Sequence, residues 1–471
     1  MLDRSRRPMV LAVACASMMV VMMDISIVNV ALPDIRAELD APLSGLQWIV
    51  DAYSLVLAGF LVLAGSTADR IGRRRVFRAG LAVFGLGSLL CGLAPGIGWL
   101  IAARVVQAVG GTMLNPVAMA IVAATFPDRA ERARAIGVFG ATAGLALGLG
   151  PVLGGALVDG LGWRAVFWVN VPIVAVALVC ATLFVPESRA PRPRRADPVG
   201  QVLVVSALGC LVFAIIESHA YGWTSPLILA LLAITVLATI ALVIHEPRRA
   251  DPLLELRLFR SVPFTSAILM ALSTLCAFGA FLFMTSLYLQ DVQGMSALSA
   301  GLRLIPVGAL IATLAPLTGR FVATRGPRIP LLTSGTALTL AAVTALCLDE
   351  PLPTYLLIGV AIGTSAPPIT NTAVSGMPTS MTGVAASLAA TARQVGTTLG
   401  VAIVGTVIGP SLSGFHTIWW LILALGAAVV VLAFLGTGQW ADRTAREAAA
   451  LFDDMDAAPE RSRDVDPLLS G

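Results

Sequence analysis

The ionisable side chains of Asp24, Asp51, Arg104 and Arg393 lie within long apolar stretches of this 471-residue chain. An ionisable group among apolar residues is costly to keep charged, so it is a candidate for function by default. Asp24 lies 15 residues after the first apolar stretch begins at residue 9, a helical rise of roughly 22 Å. At that depth its carboxyl could bind and release a proton. The alternative is that Asp24 belongs to a structural network with Ser26 and Asn29.

Asp51 is the second acid in an apolar setting. It follows Trp48 and precedes Tyr53 and Ser54 near the start of the second apolar stretch. Tryptophan is typical of the membrane interface, which would place Asp51 about one helical turn inside the membrane. Asp51 is therefore either a second acid that binds a proton or a cation, or a solvated residue at the mouth of the protein.

The two arginines within apolar stretches need partners, because a guanidinium stays charged in proteins. Arg104 lies in the fourth stretch, three residues before Gln107. Asp24 is a plausible partner for it across a helical bundle, and a structural tie between helices is its alternative role. Arg393 lies in the second half of the chain and could face a central cavity from that side.

The composition excludes an ordinary soluble protein. The chain is 57% hydrophobic and 12% charged, with a mean hydropathy of +0.89, whereas soluble domains carry about 25% charged residues. With 31 basic and 27 acidic residues, the charge gives no argument for binding nucleic acid. The six cysteines lie singly in apolar stretches, without a Cys/His cluster. We therefore predict neither a disulfide framework nor a metal site.

Fourteen apolar stretches are long enough to cross a membrane, which takes about 20 residues. They cover residues 9–33, 44–66, 76–95, 98–125, 133–158, 165–185, 199–217, 226–245, 263–289, 298–319, 329–348, 352–374, 383–408 and 417–436. The first is too long for the core of a secretory signal. With the N-terminus in the cytoplasm, 26 of the 31 arginines fall in cytoplasmic loops or termini. Since positive residues favour the cytoplasmic side, we predict a multi-pass protein of the cell membrane with both termini cytoplasmic.

Charged residues are concentrated in the loop between the second and third stretches. Its residues of interest are Gly65, Asp69, Arg70, Gly72, Arg73, Arg74 and Arg75. Glycine permits a tight turn and the close approach of a neighbouring helix, and the arginines can pair with Asp69 or with another segment. The simplest alternative is a positively charged loop that only fixes the topology.

The loop pattern G-x-x-x-D-R-x-G-R-R-R resembles the loop between helices two and three of the major facilitator superfamily. In that family the loop is a cytoplasmic gate that holds the outward-open state together, which implies the same role here. The residues around Asp24 are similar to the helix-one motif of drug:proton antiporters. Arg104 and Gln107 resemble the helix-four motif, which implies a part in proton transfer, although Ala108 stands where that family usually has glycine.

A glycine-rich pattern in the fifth stretch bears on the direction of transport. It consists of Gly144, Gly148, Gly150, Pro151, Gly154 and Gly155. The pattern is similar to the antiporter signature of the superfamily and implies exchange rather than symport. Glycines four residues apart also permit close contact between any two membrane helices, so generic packing is the alternative.

The resemblance implies an all-α integral membrane protein with 14 transmembrane helices, in which an inserted helix pair separates two six-helix bundles. We divide the chain into an N-terminal bundle (1–190), a linker with two extra helices (191–260), a C-terminal bundle (261–440) and a cytoplasmic tail (441–471). A faint repeat fits this division, because Gly65 and Gly72 recur as Gly319 and Gly326, 254 residues on. The repeat has Ala323 in place of Asp69.

The resemblance points to a proton-driven antiporter that exports lipophilic or cationic drugs by alternating access. It assigns proton coupling and substrate contact to Asp24, Asp51, Arg104, Arg393, Asn29, Tyr53 and Gln107. We expect a small lipophilic molecule, protons and membrane lipid as partners, and no nucleic acid, cofactor or enzymatic activity. The monomer is expected to function alone. The alternatives are a dedicated exporter or symporter of one endogenous metabolite such as an antibiotic, a polytopic membrane enzyme, or a sensor.

Overall fold

A computed structural model describes residues 6–189, 197–249, 252–348, 350–378, 381–409 and 414–452. Within these ranges every regular element is a helix. This is the outcome expected for a chain in lipid, because a helix satisfies all its backbone hydrogen bonds within one segment. The predicted all-α fold class is confirmed for the described part of the chain.

The first part of the chain forms eight helices. They are α1 (Arg7–Leu39), α2 (Leu43–Ile71), α3 (Arg73–Gly92), α4 (Ile97–Thr112), α5 (Asn115–Thr125), α6 (Arg129–Leu161), α7 (Ala165–Trp168) and α8 (Asn170–Phe184). In this part of the chain, two of the predicted apolar stretches are each divided into two helices. Helices α4 and α5 form the stretch 98–125, and α7 and α8 form the stretch 165–185. Pro116 and Pro172 lie at the starts of α5 and α8, where a missing backbone N–H costs little.

The second part begins with the helix pair predicted within the linker 191–260. These helices are α9 (Pro198–Tyr221) and α10 (Pro226–His245). Asp197 and Ser225 precede them, and each side chain accepts a hydrogen bond from a backbone N–H of the first turn. Such side chains satisfy donors that a helix start leaves unpaired.

The remaining helices follow after a short 3₁₀ segment, Leu256–Arg260. They are α11 (Val262–Leu287, continued by a π-helical turn at Tyr288–Val292), α12 (Ala297–Arg303), α13 (Ile305–Arg325), α14 (Arg328–Cys347), α15 (Leu352–Gly363), α16 (Ala366–Val374), α17 (Thr382–Ile408), α18 (Phe415–Gly436) and α19 (Gln439–Ala450).

Thirteen helices in the described ranges are long and apolar enough to cross a membrane. The predicted number of fourteen is therefore not confirmed. The predicted stretch 383–408 does form a helix, α17, of 27 residues. It carries Arg393, Gln394 and several threonines, which lower the hydropathy of its middle.

The helices pack in two sets that meet along several helix pairs. Within the first set α1 packs on α6, and α3 packs on α4 and α8; within the second α11 packs on α17, and α14 packs on α18. Between the sets, α1 contacts α11, α2 contacts α17, and α6 contacts α12 and α13. A site near the middle of the molecule can therefore be built from both parts of the chain.

Helix α9 lies against both sets. It packs on α2 and on α17. The indole Nε1 of Trp48 on α2 donates to the Glu217 carboxylate on α9 at 2.9 Å, and the Thr406 hydroxyl on α17 donates to the carbonyl of Ile215 at 2.8 Å. The inserted helix therefore covers one of the lines along which the two sets meet.

Candidate functional site

Asp24 of α1 and Arg104 of α4 form a buried ion pair. A guanidinium Nη1 of Arg104 contacts Asp24 Oδ2, and the two side chains are 1% and 0% exposed. Two amides complete the carboxylate's surroundings: Gln107 Nε2 donates to Asp24 Oδ1 at 2.8 Å, and Asn170 Nδ2 donates to the same oxygen at 3.1 Å. The charge of Asp24 is thus balanced by one cation and two amide donors.

The rest of the Arg104 guanidinium is also satisfied. Its Nε donates to the carbonyl of Ile49 at 3.0 Å, and Nη1 donates to Gln107 Oε1 at 2.6 Å. The guanidinium carbon lies 4.1 Å from the centre of the Tyr53 ring and 5.8 Å from that of Phe167. Aromatic faces stabilise such a cation when water is excluded.

Small residues on α3 allow Gln107 to reach this network. A Cβ at Gly87 would lie 2.7 Å from the Cβ of Gln107, so a larger residue there would push α4 away. Ser88, the next residue of α3, accepts a hydrogen bond from Gln107 Nε2 at 2.9 Å. The amide of Gln107 therefore joins α1, α3 and α4 at one point.

Ser26 and Asn29 do not hold Asp24, in contrast to the structural alternative. The Ser26 hydroxyl donates to the carbonyl of Met23 at 3.1 Å, and Asn29 Nδ2 donates to that of Ile25 at 2.8 Å. Both side chains thus bond back to their own helix. The backbone carbonyl of Asn29 accepts from the Ser286 hydroxyl of α11 at 2.5 Å, so Asn29 lies where α1 meets α11.

Asp51 is fully buried and differs from Asp24 in its surroundings. It is 0% exposed, and neither carboxylate oxygen has a hydrogen-bond partner among the described residues. The alternative of a solvated residue at the mouth is therefore wrong for this conformation. An unpaired carboxylate in an apolar site is expensive, so this position favours a protonated carboxyl or the presence of a bound cation.

Arg393 lies in α17, apart from both acids. Its Nη1 donates to the Thr370 hydroxyl of α16 at 3.3 Å. No acidic side chain in the described ranges forms an ion pair with it. This half-buried cation is therefore available to an anionic group from outside the chain.

The charged segment predicted as a loop forms the end of α2 and the start of α3, with Gly72 alone between them, and it contacts the end of α8. Asp69 pairs with Arg73 at 2.9 Å, four residues on. Arg74 Nη2 donates to the carbonyl of Thr182 at 2.5 Å, and its backbone N–H donates to the Glu187 carboxylate at 3.2 Å. These contacts join α2 and α3 to α8 within one helix set. The predicted role of the loop as a gate between the sets remains a prediction.

The backbone turns sharply at the junction of α2 and α3. Gly72 has a φ of +126°, in a region that other residues rarely adopt, and a Cβ there would lie 2.8 Å from the Glu187 carboxyl carbon. The positive φ explains why glycine is found at this turn, as predicted, and the Glu187 carboxylate lies where a larger side chain would begin. Gly65, by contrast, has only a distant neighbour, with Pro116 Cβ at 3.9 Å from its built Cβ.

The glycine pattern of α6 faces two directions. A Cβ at Gly148 would lie 2.7 Å from the Cα of Gly308 on α13, and one at Gly154 would lie 2.8 Å from Ile27 on α1. Gly144 and Gly155 also face α13 and α12, while Gly150 faces α1 beside Ser26. Pro151 lies within α6 and its carbonyl group is close to Gly301. Helix α6 therefore packs between α1 on one side and α12 and α13 on the other.

The two helix sets are joined by polar contacts at the end remote from the Gly65–Arg75 loop, which we call the joined end. The Asp159 carboxylate accepts hydrogen bonds from the backbone N–H groups of Ala297 and Leu298, each at 3.1 Å. Arg36 pairs with Asp291 at 3.2 Å. The side chains of Gln47 and Gln290 add further bonds, to the carbonyls of Ala402 and Val30.

Several of these residues were not predicted as members of the site. Asn170, Ser88, Glu187, Asp159 and Asp291 are separated from their partners by long stretches of chain. Asn170 had one usable signal, because a carboxamide within an apolar helix needs a partner. The others lie at helix ends or beside glycines, where many polar residues have no function.

Three comparisons with known proteins agree with this architecture. A family model described as Major Facilitator Superfamily matches residues 14–401. The Multidrug resistance protein Stp of Mycobacterium tuberculosis is 37% identical, over 83% of this chain and 74% of its own length. The Tetracenomycin C resistance and export protein of Streptomyces glaucescens is 36% identical, over 85% and 76%. A crystal structure of the peptide transporter POT in complex with sulfate superposes with a TM-score of 0.67 at 15% identity, covering 94% of this chain and 95% of that chain.

Proposed function

This chain belongs to the major facilitator superfamily, and we propose that it is a proton-driven antiporter that exports lipophilic or cationic small molecules by alternating access. Relatives at 36–37% identity are named for multidrug resistance and for tetracenomycin C resistance and export. The low charge of the chain, 12%, supports a substrate that is itself lipophilic.

We place the protein in the cytoplasmic membrane with fourteen spans, counting α17 as the thirteenth, and with both termini inside. Residues 1–190 and 261–440 form the two six-helix bundles, 191–260 holds the inserted pair α9 and α10, and 441–471 is a cytoplasmic tail. This orientation puts the Gly65–Arg75 loop on the cytoplasmic side. The joined end then faces outward, so the conformation described above is closed to the outside.

The observation that carries the proposal is the pair of buried acids with opposite surroundings. Asp24 is in contact with Arg104, Gln107 and Asn170, whereas Asp51 has no partner among the described residues. Groups whose environments differ in this way divide acid and base roles between them. We assign proton binding to Asp51 in the outward-closed state. Asp24 and Arg104 form the pair that separates when a proton neutralises Asp24.

Exchange follows from competition between the proton and a cationic or lipophilic substrate. Protonation from the outside favours release of the substrate outward, and loss of the proton to the cytoplasm readies the site for the next molecule. One proton that moves down 100 mV supplies about 2.3 kcal/mol. That free energy sustains a substrate gradient of roughly fifty-fold.

The test is proton movement in everted membrane vesicles. A pH gradient is imposed and a lipophilic cation such as tetraphenylphosphonium is added. Wild-type protein should dissipate the gradient, whereas Asp24→Asn and Asp51→Asn should not. Asp442→Asn, which removes an exposed acid on α19, is the matched control and should behave as wild type. Equal responses in all four proteins would refute the assignment of the coupled proton.

A narrower function is favoured by one feature, the Arg393 guanidinium. Its described partner is a hydroxyl rather than a carboxylate, so it suits a substrate that carries an acidic or phenolate group. In this second candidate function the protein exports one such metabolite. Proton movement would then be driven by anionic aromatic compounds and not by tetraphenylphosphonium, and Arg393→Gln would abolish it.

A further inference from the structure

One cavity lies among the helices of the second part of the chain, and the Asp24–Arg104 pair does not line it. Its volume is about 390 Å³, within the usual range for small-molecule sites. It lies between the ends of α11, α14, α15 and α18, close to the joined end. If the orientation proposed above is correct, this cavity opens to the outside, and the inference below depends on that proposal for this point alone.

Aromatic rings form much of the cavity wall. Tyr288 and Phe415 lie with ring centres 5.1 Å apart and nearly perpendicular planes. Tyr355 and Trp419 line the cavity from α15 and α18, and both pack against the ring of Phe281, at 5.7 and 6.3 Å. Four rings around one space favour a flat, apolar molecule that can stack against them.

The charge of the lining is one-sided. Arg303 and His416 line the cavity, and the described lining residues include no acid. Arg303 is exposed and forms no ion pair with a described side chain. A guanidinium near aromatic rings suits a sulfonate, carboxylate or phenolate carried by the bound molecule.

The cavity shares a helical segment with the joined end. Met284, Thr285 and Tyr288 of α11 line the cavity. Within the same turns, Ser286 donates to the carbonyl of Asn29, and Gln290 donates to that of Val30 at 3.0 Å. A molecule that fixes this part of α11 would therefore also fix its contact with α1.

We propose that this cavity is an outward-facing binding site for planar aromatic anions, separate from the transport site, and that an anion bound there stabilises the outward-closed arrangement of α11 against α1. An aromatic acid that accumulates outside the cell would then slow transport. This coupling is reciprocal, because a ligand that prefers one conformation binds best when that conformation is favoured.

Binding is tested with purified full-length protein in lipid nanodiscs. The probe is 1-pyrenesulfonate, which is planar, fluorescent and permanently charged, and empty nanodiscs correct for partition into lipid. We expect saturable binding that Arg303→Gln weakens at least tenfold and that Trp419→Leu also weakens. Arg320→Gln removes an exposed arginine from the end of α13 that is remote from the cavity and is the matched control, with affinity equal to wild type. A pyrene that carries a trimethylammonium group should bind at least tenfold more weakly.

Two results would overturn the inference. One is equal affinity of the Arg303→Gln and Arg320→Gln proteins for the sulfonate, and the other is equal affinity of wild type for the anionic and cationic pyrenes. The side of the membrane is tested separately, because the sulfonate should bind to right-side-out vesicles and not to everted ones. Binding to everted vesicles alone would refute the proposed orientation while it left the ligand chemistry intact. Proton movement driven by tetraphenylphosphonium reports the transport function independently of this site.

Discussion

Asp24 and Asp51 are both buried aspartates, yet their replacement by asparagine should affect stability in different ways. Asp24→Asn leaves the Arg104 guanidinium without its carboxylate, and breaking a buried ion pair costs about 3–5 kcal/mol. Asp51→Asn removes no hydrogen bond to a described residue, so we expect a change of no more than about 1 kcal/mol. Thermal unfolding of the purified variants in detergent measures both. A larger loss for Asp51→Asn than for Asp24→Asn would show that Asp51 is paired.

The cost of losing Asp24 should be largely recovered when Arg104 is neutralised as well. The double variant Asp24→Asn/Arg104→Gln no longer buries an uncompensated charge, and its amides can still bond to Gln107 and Asn170. We therefore expect it to be more stable than Asp24→Asn alone, by about 2 kcal/mol, as a double-mutant cycle would report. Transport should remain absent in both. Additive losses would mean that the two side chains do not interact in the folded protein.

At this scale the sequence predicted the kind of residue better than its partners. The placement of Asp24 and Arg104 in apolar stretches sufficed to propose their pairing. Their placement could not identify Asn170 as a partner, which is 146 residues from Asp24. The contact between Asn170 and Asp24 depends on how α1 packs on α8. The alternative network of Ser26 and Asn29 around Asp24 is not formed, because both side chains bond back within their own helix, a common outcome for short polar side chains.

Helix α6 depends on small residues where it meets α13. Gly148→Val would place methyl groups against the backbone of Gly308 on α13, where even a Cβ would be 2.7 Å from the Cα. We expect α6 and α13 to separate near the joined end. Proton movement driven by tetraphenylphosphonium should then fall at least tenfold, while the protein still inserts into the membrane. Gly140→Val on the same helix is the control, because a Cβ there has no neighbour within 4 Å. Equal transport by both variants would remove the argument for close contact.

The start of α9 makes a prediction about pH. Burial raises the pKa of Asp197, but hydrogen bonds from the Gly200 N–H and from His245, together with the charges of His245 and Arg249, lower it below its ordinary value of 3.8 overall. Because the folded-state pKa is lowered, the ionised carboxylate stabilises the folded protein above that ordinary value, and the contribution is lost as the pH falls through the folded-state pKa.

Thermal unfolding of Asp197→Asn against wild type measures this effect. Asparagine keeps an acceptor for the first turn of α9, so the variant isolates the charge. We expect a stability deficit that is present at pH 5 and that shrinks toward zero as the pH falls below about 4. A deficit that grows as the pH falls from about 5 to about 3 would contradict the lowered pKa.

Helix content and approximate boundaries followed from hydropathy, whereas the contacts between helices did not. Apolar length is a local property, so each predicted stretch forms helix, including 383–408. The pairing of α2 with α17 and of α6 with α13 depends on the shapes of both surfaces. The apolar pattern of α9 gave no signal for its position across α2 and α17, because apolar residues are spread around the whole helix, as is common for a helix in lipid.

For the molecule as a whole, alternating access requires the joined end to open. Arg36 and Asp291 lie on α1 and at the end of α11, and their side chains are 3.2 Å apart. In a background with the six native cysteines replaced by serine, Arg36→Cys/Asp291→Cys can be linked by a short bifunctional thiol reagent that a reductant cleaves. We expect linkage to abolish the proton movement driven by tetraphenylphosphonium, since the two helix sets of the linked protein could not separate on the outer side. Reduction should restore it.

The matched control links two positions of the same end within one helix set. Glu38 and Arg164 form an ion pair between the end of α1 and the start of α7, so Glu38→Cys/Arg164→Cys tests the reagent without joining the two sets. Transport should survive that linkage if the first set moves as a rigid unit. Persistent transport by fully linked Arg36→Cys/Asp291→Cys protein would mean that the outer contacts between α1 and α11 never part, and substrate would then have to leave along α6 and α13 instead.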